Sequence, residues 1–214
     1  MANPYACFAG RVYTITGMAG MGLSIAKMLV QNGASVSLAD VSQKCLDTAV
    51  TTLKEQSSSD DLSSRVMTTV VDVGDWSQVE AWTAATVEKF GRLDGSANFA
   101  GVIGQHHGIT DLVDQDNTDW ELIIRVNLTG MMHCVKAQLR KMKELNKTDA
   151  GKNVTRSIVN AASIQGMKGF PKHVAYSTSK HGTIGLTRGA AMEVAEDNIR
   201  INAIAPYVFR PFSF

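Results

Sequence analysis

Tyr176 and Lys180 stand at i and i+4 in the run Tyr176-Ser177-Thr178-Ser179-Lys180, a spacing that stacks both side chains on one helix face. A phenol with its ordinary pKa near 10 is a poor base at neutral pH. An ammonium beside it favours the phenolate and moves the pair toward the range of a general acid/base. Tyr-x-x-x-Lys also arises by chance in many helices, so its meaning depends on what else the chain carries.

A second feature lies near the start. Thr16-Gly17-Met18-Ala19-Gly20-Met21-Gly22 joins an apolar run to a helical pattern. A glycine-rich strand-to-helix turn lets backbone N–H groups and a helix N-terminus approach a pyrophosphate, although three glycines alone also suit a plain structural turn. Asp40, closing the second apolar run, adds a carboxylate where ribose hydroxyls would need an acceptor and a 2′-phosphate would be repelled. No Arg or Lys lies in the glycine turn or directly after Asp40, which favours NAD over NADP.

Positioning such residues requires a framework of alternating strands and helices. Short apolar runs at 11–16, 35–39, 65–72, 95–99, 156–161 and 200–203 read as strands without strict alternation, as in a parallel sheet covered on both faces. Helical patterns separate them at 21–31, 42–56, 76–90, 119–145 and 174–196. Asp75 and Thr118 are expected N-caps, and Asn32-Gly33 an expected C-cap. Residues 57–61 and 146–153 read as polar loops. No repeat or long linker divides the chain, so a single α/β domain over 1–214 is expected.

With these elements in place, the chain resembles the short-chain dehydrogenase/reductase family from about Arg11 to Pro206. Asp72-Val73 is similar to the family's adenine contact, and Asn98-Phe99-Ala100-Gly101 resembles its Asn-Asn-Ala-Gly motif beside the cofactor. Val126-Asn127-Leu128-Thr129-Gly130 looks like the helix segment carrying a catalytic asparagine. The resemblance implies a Rossmann-type doubly wound parallel sheet and four catalytic residues, Asn127, Ser163, Tyr176 and Lys180. Ser163 would hydrogen-bond the substrate oxygen, Lys180 the nicotinamide ribose, and Asn127 would hold a water in a proton relay. Gly17, Met18, Gly20, Met21, Gly22, Asp40, Asp72, Val73, Asn98, Ala100, Gly101, Tyr176 and Lys180 would contact the cofactor. The implied reaction moves a hydride between nicotinamide and a secondary alcohol or ketone carbon. The wording of Tyr13 to Ala19 and Gly101 to Gly104 is similar to fungal members, several of which serve secondary metabolism.

Two departures from the family pattern stand out. Only Met18 and Ala19 separate Gly17 from Gly20, one residue fewer than usual, which should tighten the phosphate loop. After Asn202-Ala203-Ile204-Ala205-Pro206 comes Tyr207 instead of Gly, and the aromatic-rich stretch 207–214 stands where the family continues into a substrate lid. The expectation is a sheet lacking the usual last strand, with the sixth as an exposed edge. The family's dimer through two long helices, here 119–145 and 174–196, is expected over the tetramer. The alternatives are a non-redox isomerase, cyclase or dehydratase using Tyr176 as an acid, and a non-catalytic binding or scaffold protein with impaired cofactor binding.

Other residues invite plainer readings. His106 and His107 fall in a loop after the fourth strand, at the site entrance or in solvent; Met131 and Met132 suit packing, and Arg125 a surface ion pair. A net charge of +1 over 214 residues offers no electrostatic attraction for nucleic acid or an anionic membrane. Three unpatterned cysteines, Cys7, Cys45 and Cys134, imply neither disulfides nor a metal site and fit a reducing compartment. With no visible signal peptide or membrane-length apolar run, a cytoplasmic location is expected.

Overall fold

The structure is a computed structural model that describes residues 4–56, 62–149 and 154–207. Six strands form one all-parallel sheet in the order β3-β2-β1-β4-β5-β6. They are β1 (Val12–Thr16), β2 (Ser35–Asp40), β3 (Val66–Val70), β4 (Gly95–Asn98), β5 (Arg156–Ala161) and β6 (Ile199–Ile204). The helices are α1 (Met21–Gln31), α2 (Gln43–Gln56), α3 (Leu62–Arg65), α4 (Trp76–Phe90), α5 (Asn117–Ile124), α6 (Gly130–Thr148) and α7 (Val174–Glu193). The strand order reverses between β1 and β4, and in doubly wound sheets that reversal opens a crevice at the strands' carboxyl ends.

The two sheet faces are covered differently. Tyr13, Ile15, Val36, Leu38 and Ala97 pack against α1 and α2 in an apolar cluster. The opposite face of the same strands carries Thr14, Ser37, Ser96 and Asn98, all buried. Their polar atoms are matched: Thr14 Oγ1 and Ser96 Oγ lie 2.7 Å apart, and Trp82 Nε1 and Thr86 Oγ1 of α4 each reach Ser37 Oγ at 2.8 Å. Buried polar groups cost stability unless paired, and here the pairs tie α4 to the sheet. Toward β5 and β6 this face becomes apolar again, with Ile158, Ile199 and Ile201 against Val135, Met142 and Ala190.

Several expected boundaries shift. Asp75 caps α4 as expected, its carboxylate accepting from the N–H groups of Ser77 and Gln78. The second expected cap was wrong: Asp116, not Thr118, caps α5, because its extended backbone lets the carboxylate accept from Asp119 N at 2.8 Å. The expected helix over 119–145 is two helices separated by a wide π turn at Arg125–Thr129. Residues 146–148 belong to α6 rather than a loop, since Asn146 donates to the Asp197 carbonyl and also meets buried Arg156. Beyond Glu193, α7 gives way to a 3-10 turn at Ala195–Asp197. β6 lies at the sheet edge, as expected among the described residues. The expected loop at 57–61, the remainder of the 146–153 loop from 150 on, and the aromatic stretch from 208 on lie outside the described residues.

Candidate active site at the carboxyl edge of the sheet

The glycine turn leaves β1 at the crevice. Gly17 has φ 81°, and a Cβ there would stand 2.7 Å from Ala100 N and Phe99 O, so only glycine lets the two crossovers meet. Gly22 is tighter still: a Cβ would lie 1.9 Å from the Gly17 carbonyl oxygen. Thr16 braces the same junction, its Oγ1 accepting from Phe99 N and Ala100 N at 3.0 and 3.2 Å. The N-cap of α1, Gly20, makes no side-chain capping bond, so the first-turn N–H groups suit an anion. The residues present thus fit a dinucleotide's pyrophosphate.

The shortened turn is drawn inward. Met18 is 2% exposed and packs in the α1–α2 core, while its N–H donates to Asp40 Oδ2 at 2.7 Å. Asp40 Oδ1 accepts from Ser42 N at 2.9 Å. Each carboxylate oxygen has a further lone pair, so the held Asp40 can still accept from a ribose. Asp72 is fixed in turn by Arg125, whose Nη1 is 2.7 Å from Asp72 Oδ2, and by Gly74 N at 2.8 Å. Val73 is buried against Gly130, which leaves no room for a Cβ. Arg125 is therefore in the surface ion pair that its plain reading described.

The four residues expected to carry chemistry converge beside this crevice. Lys180 is 4% exposed, donates from Nζ to the Ala161 carbonyl at 2.7 Å, and lies 5.5 Å from the Tyr176 ring centroid. Asn127, fully buried, sits in the π turn: Oδ1 accepts from Val102 N, and Nδ2 donates to the Val102 carbonyl and to Ser179 Oγ. Gly101 lies against both, a Cβ there being 3.2 Å from Asn127 Oδ1 and 3.7 Å from Lys180 Nζ. Ser163 hydrogen-bonds the Tyr176 side chain. Asn98 stands behind the site, its amide paired reciprocally with Gln138 at 2.9 and 2.8 Å and with Asn160 Oδ1 at 3.0 Å.

Electrostatics corrects one expectation. Burial pushes the Tyr176 phenol above its ordinary pKa, and the Ser163 hydrogen bond only partly opposes it. The expected lowering by Lys180 does not outweigh burial here: its ammonium donates to the Ala161 carbonyl and is itself pushed down to about 8 by burial.

Sequence reasoning passed over Ser179, Thr16 and Gln138. Ser179 and Thr16 lie inside motifs already quoted, but their partners, Asn127 and the 99–100 backbone, are distant in sequence. Gln138 gives no signal beyond being a polar residue on an otherwise apolar helix face. Met131 is buried as expected, and among the described residues no group of three or more His, Cys, Asp or Glu is arranged to hold a metal ion.

Comparison with known proteins gives this arrangement its family. The family model described as short chain dehydrogenase matches residues 11–212. The short-chain dehydrogenase/reductase ABA4 of Pyricularia oryzae is 47% identical over 199 residues, covering 92% of this chain and 68% of that relative. Levodione reductase of Leifsonia aquatica is 35% identical over 206 residues, covering 96% and 72%. Among solved structures, NAD+-bound xylitol dehydrogenase superposes with a TM-score of 0.83 at 32% identity, covering 96% of this chain and 73% of that one. The chain therefore belongs to the short-chain dehydrogenase/reductase family of oxidoreductases.

Proposed function

We propose that the chain is an NAD-dependent oxidoreductase acting on a secondary alcohol or ketone, with Tyr176 as general acid/base. The observation that carries this reading is the convergence of Ser163, Tyr176, Lys180 and Asn127, from three separate segments, at the mouth of a glycine-lined crevice. When bound, the nicotinamide supplies or takes up the hydride. Ser163 and the Tyr176 hydroxyl hold the substrate oxygen, and Tyr176 gives or takes the proton there. A raised phenol pKa keeps that proton in place at neutral pH, which suits ketone reduction. The Lys180 ammonium offsets the charge left on the phenolate. Asn127 has its side-chain amide engaged, and its backbone carbonyl, which accepts a long 3.4 Å bond from Thr183 Oγ1, would hold a relay water.

Asp40 supports NAD over NADP, because a held carboxylate would face the 2′-phosphate. A homodimer through α6 and α7 is supported by the apolar groove that Val135, Leu139, Leu186 and Ala190 line between them. Among the described residues no helix is long and apolar enough to cross a membrane. We read the location as cytoplasmic.

The test is NADH and NADPH titration, read by tryptophan quenching, together with turnover of Tyr176→Phe. Retained NADH binding with turnover lost is the expected outcome. No nucleotide binding by the folded protein, or unchanged turnover, overturns the reading.

A further inference from the structure

His107 is held against Tyr176 from both sides of its own position in the chain. On one side, Gln105 N and His106 N donate to the buried Asp119 carboxylate at 3.0 and 3.3 Å. On the other, Gly108 N donates to the Lys172 carbonyl at 2.9 Å, tying the loop after β4 to the segment that leads into α7. Between these anchors the His107 ring stands edge to face with His173, centroids 4.1 Å apart, and with Tyr176, centroids 5.2 Å apart. His173 is itself fixed, its Nδ1 lying 2.5 Å from the Pro171 carbonyl.

The half-buried imidazole is thus immobilised, yet among the described residues neither of its ring nitrogens has a hydrogen-bond partner. Burial, and then the neighbouring His173, hold its pKa below the ordinary histidine value, with Asp119 opposing more weakly. A neutral imidazole offers one donor and one acceptor. A group fixed in advance loses little freedom when it binds, which is what a recognition element requires.

We infer that His107 is a specificity-determining residue that hydrogen-bonds a second oxygen of the substrate. The site then favours ketones and alcohols bearing a further carbonyl or hydroxyl group over their counterparts without one. This rests on the reading that Tyr176 and Ser163 hold the reacting oxygen. His107 meets the Tyr176 ring with centroids 5.2 Å apart, beside the position of a substrate whose reacting oxygen Tyr176 holds.

The experiment compares NADH-dependent reduction of cyclohexane-1,4-dione and cyclohexanone by the wild-type protein, His107→Phe and His107→Gln. NADH affinity, read by tryptophan quenching, verifies that each variant is folded and loaded. His107→Phe is expected to raise KM for the dione about tenfold, the worth of one hydrogen bond, while KM for cyclohexanone and NADH affinity stay within about twofold. His107→Gln, which keeps a donor and an acceptor, should restore part of the preference. Equal changes for both ketones, no change for either, or a loss confined to NADH affinity overturns the role of His107 and leaves the oxidoreductase reading standing. If wild-type protein that binds NADH reduces neither ketone while Tyr176→Phe behaves identically, the oxidoreductase reading fails, and the His107 proposal with it.

Discussion

The backbone N–H of Met18 donates to the carboxylate of Asp40 at 2.7 Å, closing the glycine turn after β1 onto the end of β2. The bond joins the two features that sequence reasoning assigned to different parts of a dinucleotide, the phosphates and the ribose. Asp40 therefore braces the turn as well as being the proposed ribose-recognition group.

It follows that Asp40→Ala is expected to do two things. Removing the carboxylate should relax discrimination against NADPH, and loss of the Met18 and Ser42 bonds should weaken NADH binding about fivefold, the equivalent of about 1 kcal/mol. Parallel titrations with both nucleotides check this. An unchanged ratio of the two affinities would count against the NAD assignment.

Gly22→Ala should be far more damaging than its single methyl suggests. The added carbon would fall 1.9 Å from the Gly17 carbonyl, a backbone atom that cannot move without shifting the whole turn. NADH affinity is expected to drop at least tenfold, with a lowered melting temperature. Gly91→Ala makes the comparison: no atom lies within 4 Å of its Cβ, but φ is 71°, so backbone strain alone is tested there.

Under the proposed mechanism, the pH dependence of ketone reduction is expected to follow Lys180. Its folded pKa of about 8, lowered by burial, leaves it charged below that value and neutral above it. Once neutral, it no longer stabilises the Tyr176 phenolate formed as the proton leaves. The kcat/KM for reduction should therefore fall as pH rises through about 8. A profile measured from pH 6 to 10 that stays flat through this region would exclude Lys180 from that role. The sign for stability is separate: a buried ammonium opposes folding, so this residue's contribution improves as pH rises from about 8 toward its unfolded value.

Gln138→Leu tests the buried amide cluster behind the site. It leaves the Asn98 carbonyl oxygen without its 2.8 Å donor inside the fold, and an unpaired buried acceptor costs about 1–3 kcal/mol. A lower denaturation midpoint with an unchanged slope is the expected outcome. A stability equal to the parent would mean that Asn98 finds another partner.

Much of this protein was decided along the chain. The boundaries of α1 and α4, the capping of α4 by Asp75 and the βα order depend on contacts within a turn or two, so local patterns carry them. The same holds for the Tyr176–Lys180 spacing and the glycine turn, where neighbouring residues already contain the geometry.

The tertiary structure decided what depends on residues far apart. Asn127 meets Val102 and Ser179 only because a π turn breaks the long helix, and a run of helix formers does not announce that turn. Asp116 displaced Thr118 as the cap because backbone direction, not residue type, selects between oxygen-bearing side chains two residues apart. The direction of the Tyr176 pKa reversed for a similar reason. Helical spacing brings Lys180 near the ring, but burial and the Ala161 carbonyl determine where its charge is spent. His107 became distinct from His106 only when the loop was pinned at Asp119 and Lys172, since sequence gives two adjacent histidines the same standing and packing does not.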